Sequence, residues 1–570
     1  MKHIIILLVF CISMNVCAQN SSAQLAKIIE DSQEFKWQDD LADEHPMGVF
    51  SKERFEKESA FAKAQLKKLQ AISSETLSET ERISLELLKF KHQETVDYYA
   101  YESYLNPLLS DSGFHSSWNY MVRPISTYKQ AVSYLNKLKA LPDVVDQYLP
   151  LLREGVEKGV SQPRVIFNGY ESTYDSQIVA DYKDSFYYEP FLNLPSSIAG
   201  VQRDSLLVAA RSAIEQQVVP SFERVKTFFE TEYLPKTRTT LGVSETPNGK
   251  AYYQNRINYY TTLDITADEV HNKGLAEVAR IKAEMQKIIE EVNFGGSFAD
   301  FLQFLRTDKQ FYATSPEQLL MIARDMAKRA DAQLPRFFKT LPRKPYGVAP
   351  VPGAIAPKYT TGRYVGSAKG STNPGYYWVN TYDLPSRPVY VLPSLTVHEA
   401  VPGHHLQGSL NQELGDSIPT FRKNMYVNAY GEGWGLYCEY LAAEMGMYTT
   451  PYERFGQLTY EMWRACRLVV DTGLHAKGWT REQVVDYMSK NTALSIHEIN
   501  TETDRYISWP GQALAYKMGE LKIRELRTLA EKELGAKFDI REFHEIILEQ
   551  GTVTLAILDR RVKHWIKKNS

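Results

Sequence analysis

The stretch with the clearest chemical potential is His398-Glu399-Ala400-Val401-Pro402-Gly403-His404-His405. A zinc-hydrolase helix usually reads His-Glu-x-x-His. Its two imidazoles lie on one face and its Glu reaches a water on the ion. Here the fourth residue after His398 is Pro402. In an unbroken helix His404 would lie about 240° round from His398, and His405 would return to the same face about 10.5 Å further along. Neither position lets two imidazoles reach one ion at about 2.1 Å. Pro402 removes a backbone donor and Gly403 admits unusual dihedrals, so a local bulge is expected. A two-residue bulge brings His404 into the ligand position and a three-residue bulge brings His405. The smaller distortion favours His404, leaving His405 to support a ligand or to face substrate.

A catalytic zinc commonly keeps three protein ligands and one open position. The best third ligand is Glu432 in Tyr430-Gly431-Glu432-Gly433-Trp434-Gly435-Leu436-Tyr437-Cys438-Glu439, where small residues let another helix approach closely. Glu439, seven residues on, lies on nearly the same face. One of the two is expected to bind the ion and the other to orient a ligand His. These donors suit Zn²⁺, and Mn²⁺ or Co²⁺ would also accept them. Glu399 is the expected general base toward an amide carbonyl. His475 is a candidate donor to substrate, or else a buried His bonded to Asp471 one turn earlier. Arg505 is a candidate partner for a substrate carboxylate, or a structural ion pair.

The elements that must hold these groups are mostly helices. Ser78-Glu79-Thr80-Glu81, Thr266-Ala267-Asp268-Glu269, Ser315-Pro316-Glu317-Gln318 and Thr480-Arg481-Glu482-Gln483 read as helix starts, each followed by apolar residues at helical spacing. The exception is Pro342 to Pro393, rich in Pro and Gly, where Gly375–Asn380 and Val389-Tyr390-Val391 have strand propensity. The expected architecture is mainly α: two helical lobes around a deep cleft, with a small β segment beside the metal-binding helix. The division is a signal segment over 1–18, a helical N-terminal lobe over 19–340, and a strand-containing, metal-binding lobe over 341–570. Tyr376 and Tyr377 are candidate substrate-binding side chains on the β segment.

Composition bounds the function. Of 570 residues, 43% are hydrophobic and 24% charged, which excludes a wholly disordered chain and a multi-span membrane protein. Lys+Arg is 66 and Asp+Glu is 69, a formal net charge of −3, so no nucleic-acid partner is expected. Met1–Ala18 reads as a secretory signal with cleavage before Gln19. Lipidation of Cys17 is disfavoured, because Val16 stands where lipoprotein signals carry a small residue. No later apolar run reaches about 20 residues, so no stable membrane insertion is expected. Cys438 and Cys466 form either one disulfide or two buried free thiols on separate helices.

Thr396–Gln407, Glu432–Tyr437, Arg467–His475 and Arg505–Leu514, in that order, resemble the motif blocks of the bacterial domain-of-unknown-function 885 family. That family looks like a branch of the zinc peptidases that include angiotensin-converting enzyme, thimet oligopeptidase and Taq-type carboxypeptidase. The resemblance implies a mainly helical peptidase with a third ligand on a following helix, in keeping with Glu432. It also implies that Tyr506, beside Arg505, steadies the oxyanion, and that Gly375–Asn380 is an edge strand able to pair with a peptide. The expected function is a secreted zinc metallopeptidase of short or unfolded peptides. The competing readings are a zinc amidase of another amide and a non-catalytic periplasmic peptide-binding protein on a degenerate scaffold.

Overall fold

The computed structural model describes residues 21–35, 45–353, 355–367 and 371–570; the signal segment and Cys17 lie outside them. The chain is mainly helical with one small three-stranded sheet. All four expected helix starts are present. Ser78 and Glu81 bond each other's backbone, Thr266–Glu269 and Thr480–Gln483 form reciprocal caps, and Ser315 accepts from the Gln318 amide ahead of Pro316.

The chain divides into two compact units. One comprises the described residues up to Leu77 together with Leu88–Gly249, and the other Ser78–Leu87 with Lys250–Ser570. The boundary at Gly249 differs from the composition change near residue 340, because the helices between them pack with the metal-binding segment. The first unit is helical with an aromatic core: Phe229 contacts the rings of His115, Tyr170, Tyr174 and Tyr233. Much of the chain's tyrosine is thus core material. Tyr104, Tyr174, Tyr187, Tyr233, Tyr377, Tyr430, Tyr437 and Tyr506 are all essentially buried.

The second unit carries the candidate chemistry. Its helices include α1 (Ala267–Glu291), α2 (Pro316–Phe337), α3 (Leu392–Glu399), α4 (His404–Gln412), α5 (Asn428–Leu441), α6 (Pro451–Lys477), α7 (Ile496–Ser508) and α8 (Leu514–Leu534). α1 packs along α6, and α5 along α8. The α5–α8 approach needs two glycines, since a Cβ on Gly433 would stand 2.5 Å from the Gly519 Cα. A buried ionic cluster joins α1, α6 and α8: Lys517, fully buried, lies 2.8 Å from Glu461, 2.8 Å from Glu520 and 3.0 Å from Glu277. Arg280 and Arg524 complete it. Lys517→Met strands these carboxylates and is expected to cost about 3–5 kcal/mol in urea unfolding. An unchanged midpoint and slope would show that the cluster contributes nothing net.

The strands are β1 (Tyr346–Pro350), β2 (Gly362–Val365) and β3 (Gly375–Val379), in the order β1-β3-β2. β1 pairs parallel to β3 and β2 antiparallel to it. The expected edge strand is therefore the central one: both sides of β3 are already hydrogen-bonded, so it has no free edge for a peptide. The edge positions belong to β1 and β2, short runs whose Gly and Pro mask their strand character. The second expected strand is also corrected. Val389–Val391 is a single 3₁₀ turn. It feeds into α3, where Pro393 is at home in the first turn. Tyr390 and Val391 are buried there, and that packing overrides their strand propensity.

Candidate metal centre

The helix that begins at Leu392 stops at Glu399 and a new one starts at His404. Across the break the Gly403 amide bonds the Val397 carbonyl at 2.9 Å and the His405 amide bonds the Ala400 carbonyl at 3.1 Å. The Val401–Pro402 peptide is cis. Gly403 is required here, because a Cβ would overlap the carbonyls of Val397 and His398. Trp434 Nε1 donates to the Pro402 carbonyl at 2.8 Å, tying the break to α5. The two inserted residues are absorbed in this turn and not by a bulge within one continuous helix.

The turn brings His404 back toward His398. The rings meet edge to face with centroids 4.8 Å apart. His398 Nε2 lies 3.6 Å and His404 Nε2 3.4 Å from Glu432 Oε2. One donor atom from each of the three residues lies within 4.8 Å of the other two. Glu439 takes the supporting position, with Oε1 2.7 Å from His398 Nδ1 and itself fully buried. Arg464 Nη2 stands 3.6 Å behind that oxygen. Gly435 makes room for the imidazole, since a Cβ there would come within 2.8 Å of His398 Nε2.

The electrostatics favour a cation. Burial opposes a charged His398, but contact with Glu432 and Glu439 and the charge of Glu399 outweigh it and raise its pKa to about 10. Burial would raise the Glu432 pKa, yet His404 and His398 hold it well below the carboxylate range. Three carboxylates around two imidazoles thus call for positive charge. Four donors about 2.1 Å from a tetrahedral ion stand about 3.4 Å apart. The two N–O separations to Glu432 match that spacing, and two imidazoles with one carboxylate are donor types that suit zinc. Glu439→Gln should weaken zinc binding about 10- to 100-fold in a chelator competition. Unchanged affinity would make Glu439 a packing group.

Glu399 is 9% exposed, and its Oε2 accepts the Tyr364 amide of β2 at 2.8 Å. β2, not β3, is therefore the strand beside it. His405 is not brought to the cluster: its Nδ1 lies 3.0 Å from the Tyr364 hydroxyl. Burial lowers its pKa to about 4. Tyr376 is 38% exposed on β3, whereas Tyr377 is fully buried and cannot line a substrate surface. Tyr506 is buried as well, and its hydroxyl accepts from Trp463 Nε1 at 2.8 Å and Arg467 Nε at 2.9 Å. Its hydroxyl partners are thus groups of α6 and not Glu432. The phenol on Glu432 is Tyr426, which donates to Oε1 at 2.9 Å and is half exposed.

His475 bonds the Tyr506 backbone carbonyl at 2.9 Å. Asp471 receives Tyr253 and the Gly511 amide. Arg505 pairs with Glu502 at 3.0 Å and with Gln512. Gln512 reaches Asn428, one turn before Glu432 on α5. Cys438 and Cys466 are buried free thiols. Sequence reasoning missed Tyr426 and Tyr364. Nothing in their local sequence marks them, since each gains its role from a partner on another element.

The family model described as "Bacterial protein of unknown function (DUF885)" matches residues 37–562, and the chain belongs to that family. A solved protein of Colwellia psychrerythraea, described as a candidate lipoprotein, is 29% identical with a TM-score of 0.89, covering 96% of this chain and 99% of its own. A candidate lipoprotein of unknown function from Shewanella oneidensis shares the fold at 16% identity and a TM-score of 0.64, over 96% and 98% of the two chains. None of the curated proteins compared matches the chain.

Proposed function

We propose that the protein is an extracytoplasmic zinc metallopeptidase acting on short or unfolded peptides. The observation that carries this reading is the convergence of His398, His404 and Glu432 with Glu399 in the same turn. His398, His404 and Glu432 would hold the ion. Zinc, when bound there, would supply Lewis acidity toward the substrate carbonyl and the nucleophilic water near neutral pH. Glu399 takes the proton from the attacking water and passes it to the leaving nitrogen as the C–N bond breaks. An extended substrate runs beside the edge strand β2, the strand that contacts Glu399. Tyr426, whose ring is partly exposed and whose hydroxyl already meets Glu432, is better placed than the buried Tyr506 to meet the substrate.

Among the described residues no helix is long and apolar enough to cross a membrane. Because the Colwellia protein is described as a candidate lipoprotein, lipidation of Cys17 stands level with cleavage after Ala18. Incubating the purified, zinc-loaded protein with a peptide library and reading products by mass spectrometry tests the reading. Zinc uptake with new termini supports it. Zinc uptake with no cleavage of any peptide sinks the peptidase reading and turns attention to non-protein amides.

A further inference from the structure

The second histidine of the His404-His405 pair is left without a task by the chemistry above. Its surroundings are nevertheless specific. His405 is 1% exposed and lies under the Tyr346 ring of β1, with centroids 4.7 Å apart. Its Nδ1 is 3.0 Å from the Tyr364 hydroxyl of β2 and 3.3 Å from Ser409 Oγ. It also bonds the Lys344 backbone, just before β1. One side chain of α4 thus engages both edge strands.

Tyr364 has two ends. Its hydroxyl meets His405, and its amide donates to Glu399 Oε2 at 2.8 Å. The path of the side chain is built in. It crosses Gly375 of β3, where a Cβ would stand 2.2 Å from the Tyr364 hydroxyl, so any larger residue there would push the ring aside. The amide points away from β3 and toward Glu399. A strand of four residues at a sheet edge is weakly fixed by its own ladder. Something else must hold its amide within hydrogen-bond range of the carboxylate.

We infer that His405 and Tyr364 are positioning residues. The His405–Tyr364 hydrogen bond locks β2 onto α4, so that the Tyr364 amide holds the Glu399 carboxylate in its working orientation. This rests on Glu399 being the general base. It explains why a motif with one extra histidine uses that histidine away from the ion. A misplacement of about 1 Å in a reacting group costs up to about 100-fold in rate, so the lock belongs to the reaction and not merely to the fold.

The test uses the full chain with Tyr364→Phe, His405→Phe, the double variant, and His405→Asn, whose amide can stand in for Nδ1. Two readouts are taken. The first is hydrogen exchange of the 362–365 segment, which needs no activity. The second is kcat and KM on a cleaved peptide, with zinc content and Tm as controls. Expected is faster exchange in both Phe variants and in Glu399→Ala, with protection restored in His405→Asn. Also expected is a roughly 10- to 100-fold loss of kcat at retained zinc, no larger in the double variant than in either single one. Unchanged exchange in both Phe variants, or losses that multiply in the double variant, would overturn the inference. If the wild type cleaves nothing, the peptidase reading fails, and the exchange arm still decides whether the lock exists.

Discussion

Glu399→Gln is expected to abolish peptide hydrolysis while leaving zinc uptake intact. Gln is isosteric and keeps an oxygen for the Tyr364 amide, so the contact at 2.8 Å survives. What it loses is the capacity to take a proton from water and deliver it to the leaving amine. General-base contributions run to about 10²–10⁴-fold, or roughly 3–5 kcal/mol of barrier. Because Glu399 stands next to a candidate ligand and is not one of the three donors, the variant separates chemistry from metal binding. The comparison is kcat/KM with zinc stoichiometry measured on the same preparation. A variant that keeps wild-type kcat/KM would remove Glu399 from the mechanism whatever the metal does.

The second large effect concerns the ion. Plasma mass spectrometry should find one zinc per chain in the wild type. His404→Ala and Glu432→Ala should lose it by more than the roughly 10- to 100-fold that removing a supporting partner costs. His405→Asn should keep it, since His405 turns toward Tyr364. His404 is the cleaner probe of the two candidate histidine ligands. His398→Ala would also strand the buried Glu439, whose Oε2 already has no hydrogen-bond partner. A bound ion stabilises the native state by mass action, about 2.7 kcal/mol at a hundredfold excess over Kd. Chelation should therefore lower the Tm of the wild type and leave that of Glu432→Ala unmoved. Zinc retained by His404→Ala and lost by His405→Asn would reassign the second ligand. Absence of zinc even after reconstitution would end the metallopeptidase proposal.

Several features were open to sequence reasoning because they are local. Ser78, Thr266, Ser315 and Thr480 start helices because a side-chain oxygen and the following amides lie within one turn. The His398-Glu399 pair and the glycine-flanked Glu432 announce themselves by residue type and spacing. Geometry along one helix was enough to expect a local distortion at Pro402 and Gly403, although not its form, a turn between two helices. The mainly helical character followed from periodicity alone.

Other features depend on residues far apart in the chain. The smaller distortion already favours His404 over His405 in the sequence, but the turn at 400–403 that presents it to Glu432 is held in part by Trp434, 32 residues beyond Pro402. The strand order needed β1 and β2, whose pairing partners are set by the register with β3 and not by their own propensity. The family resemblance points to Tyr506 as an oxyanion donor, yet Trp463 and Arg467 of another helix occupy its hydroxyl. Tyr426 and Tyr364 became visible only through Glu432 and Glu399. By itself the sequence determined which residue types were available for the chemistry and which helices would carry them. The tertiary structure decided which of those groups meet, because hydrogen-bond partners and donor separations are set by packing between elements, and periodicity along one element carries no record of its neighbours.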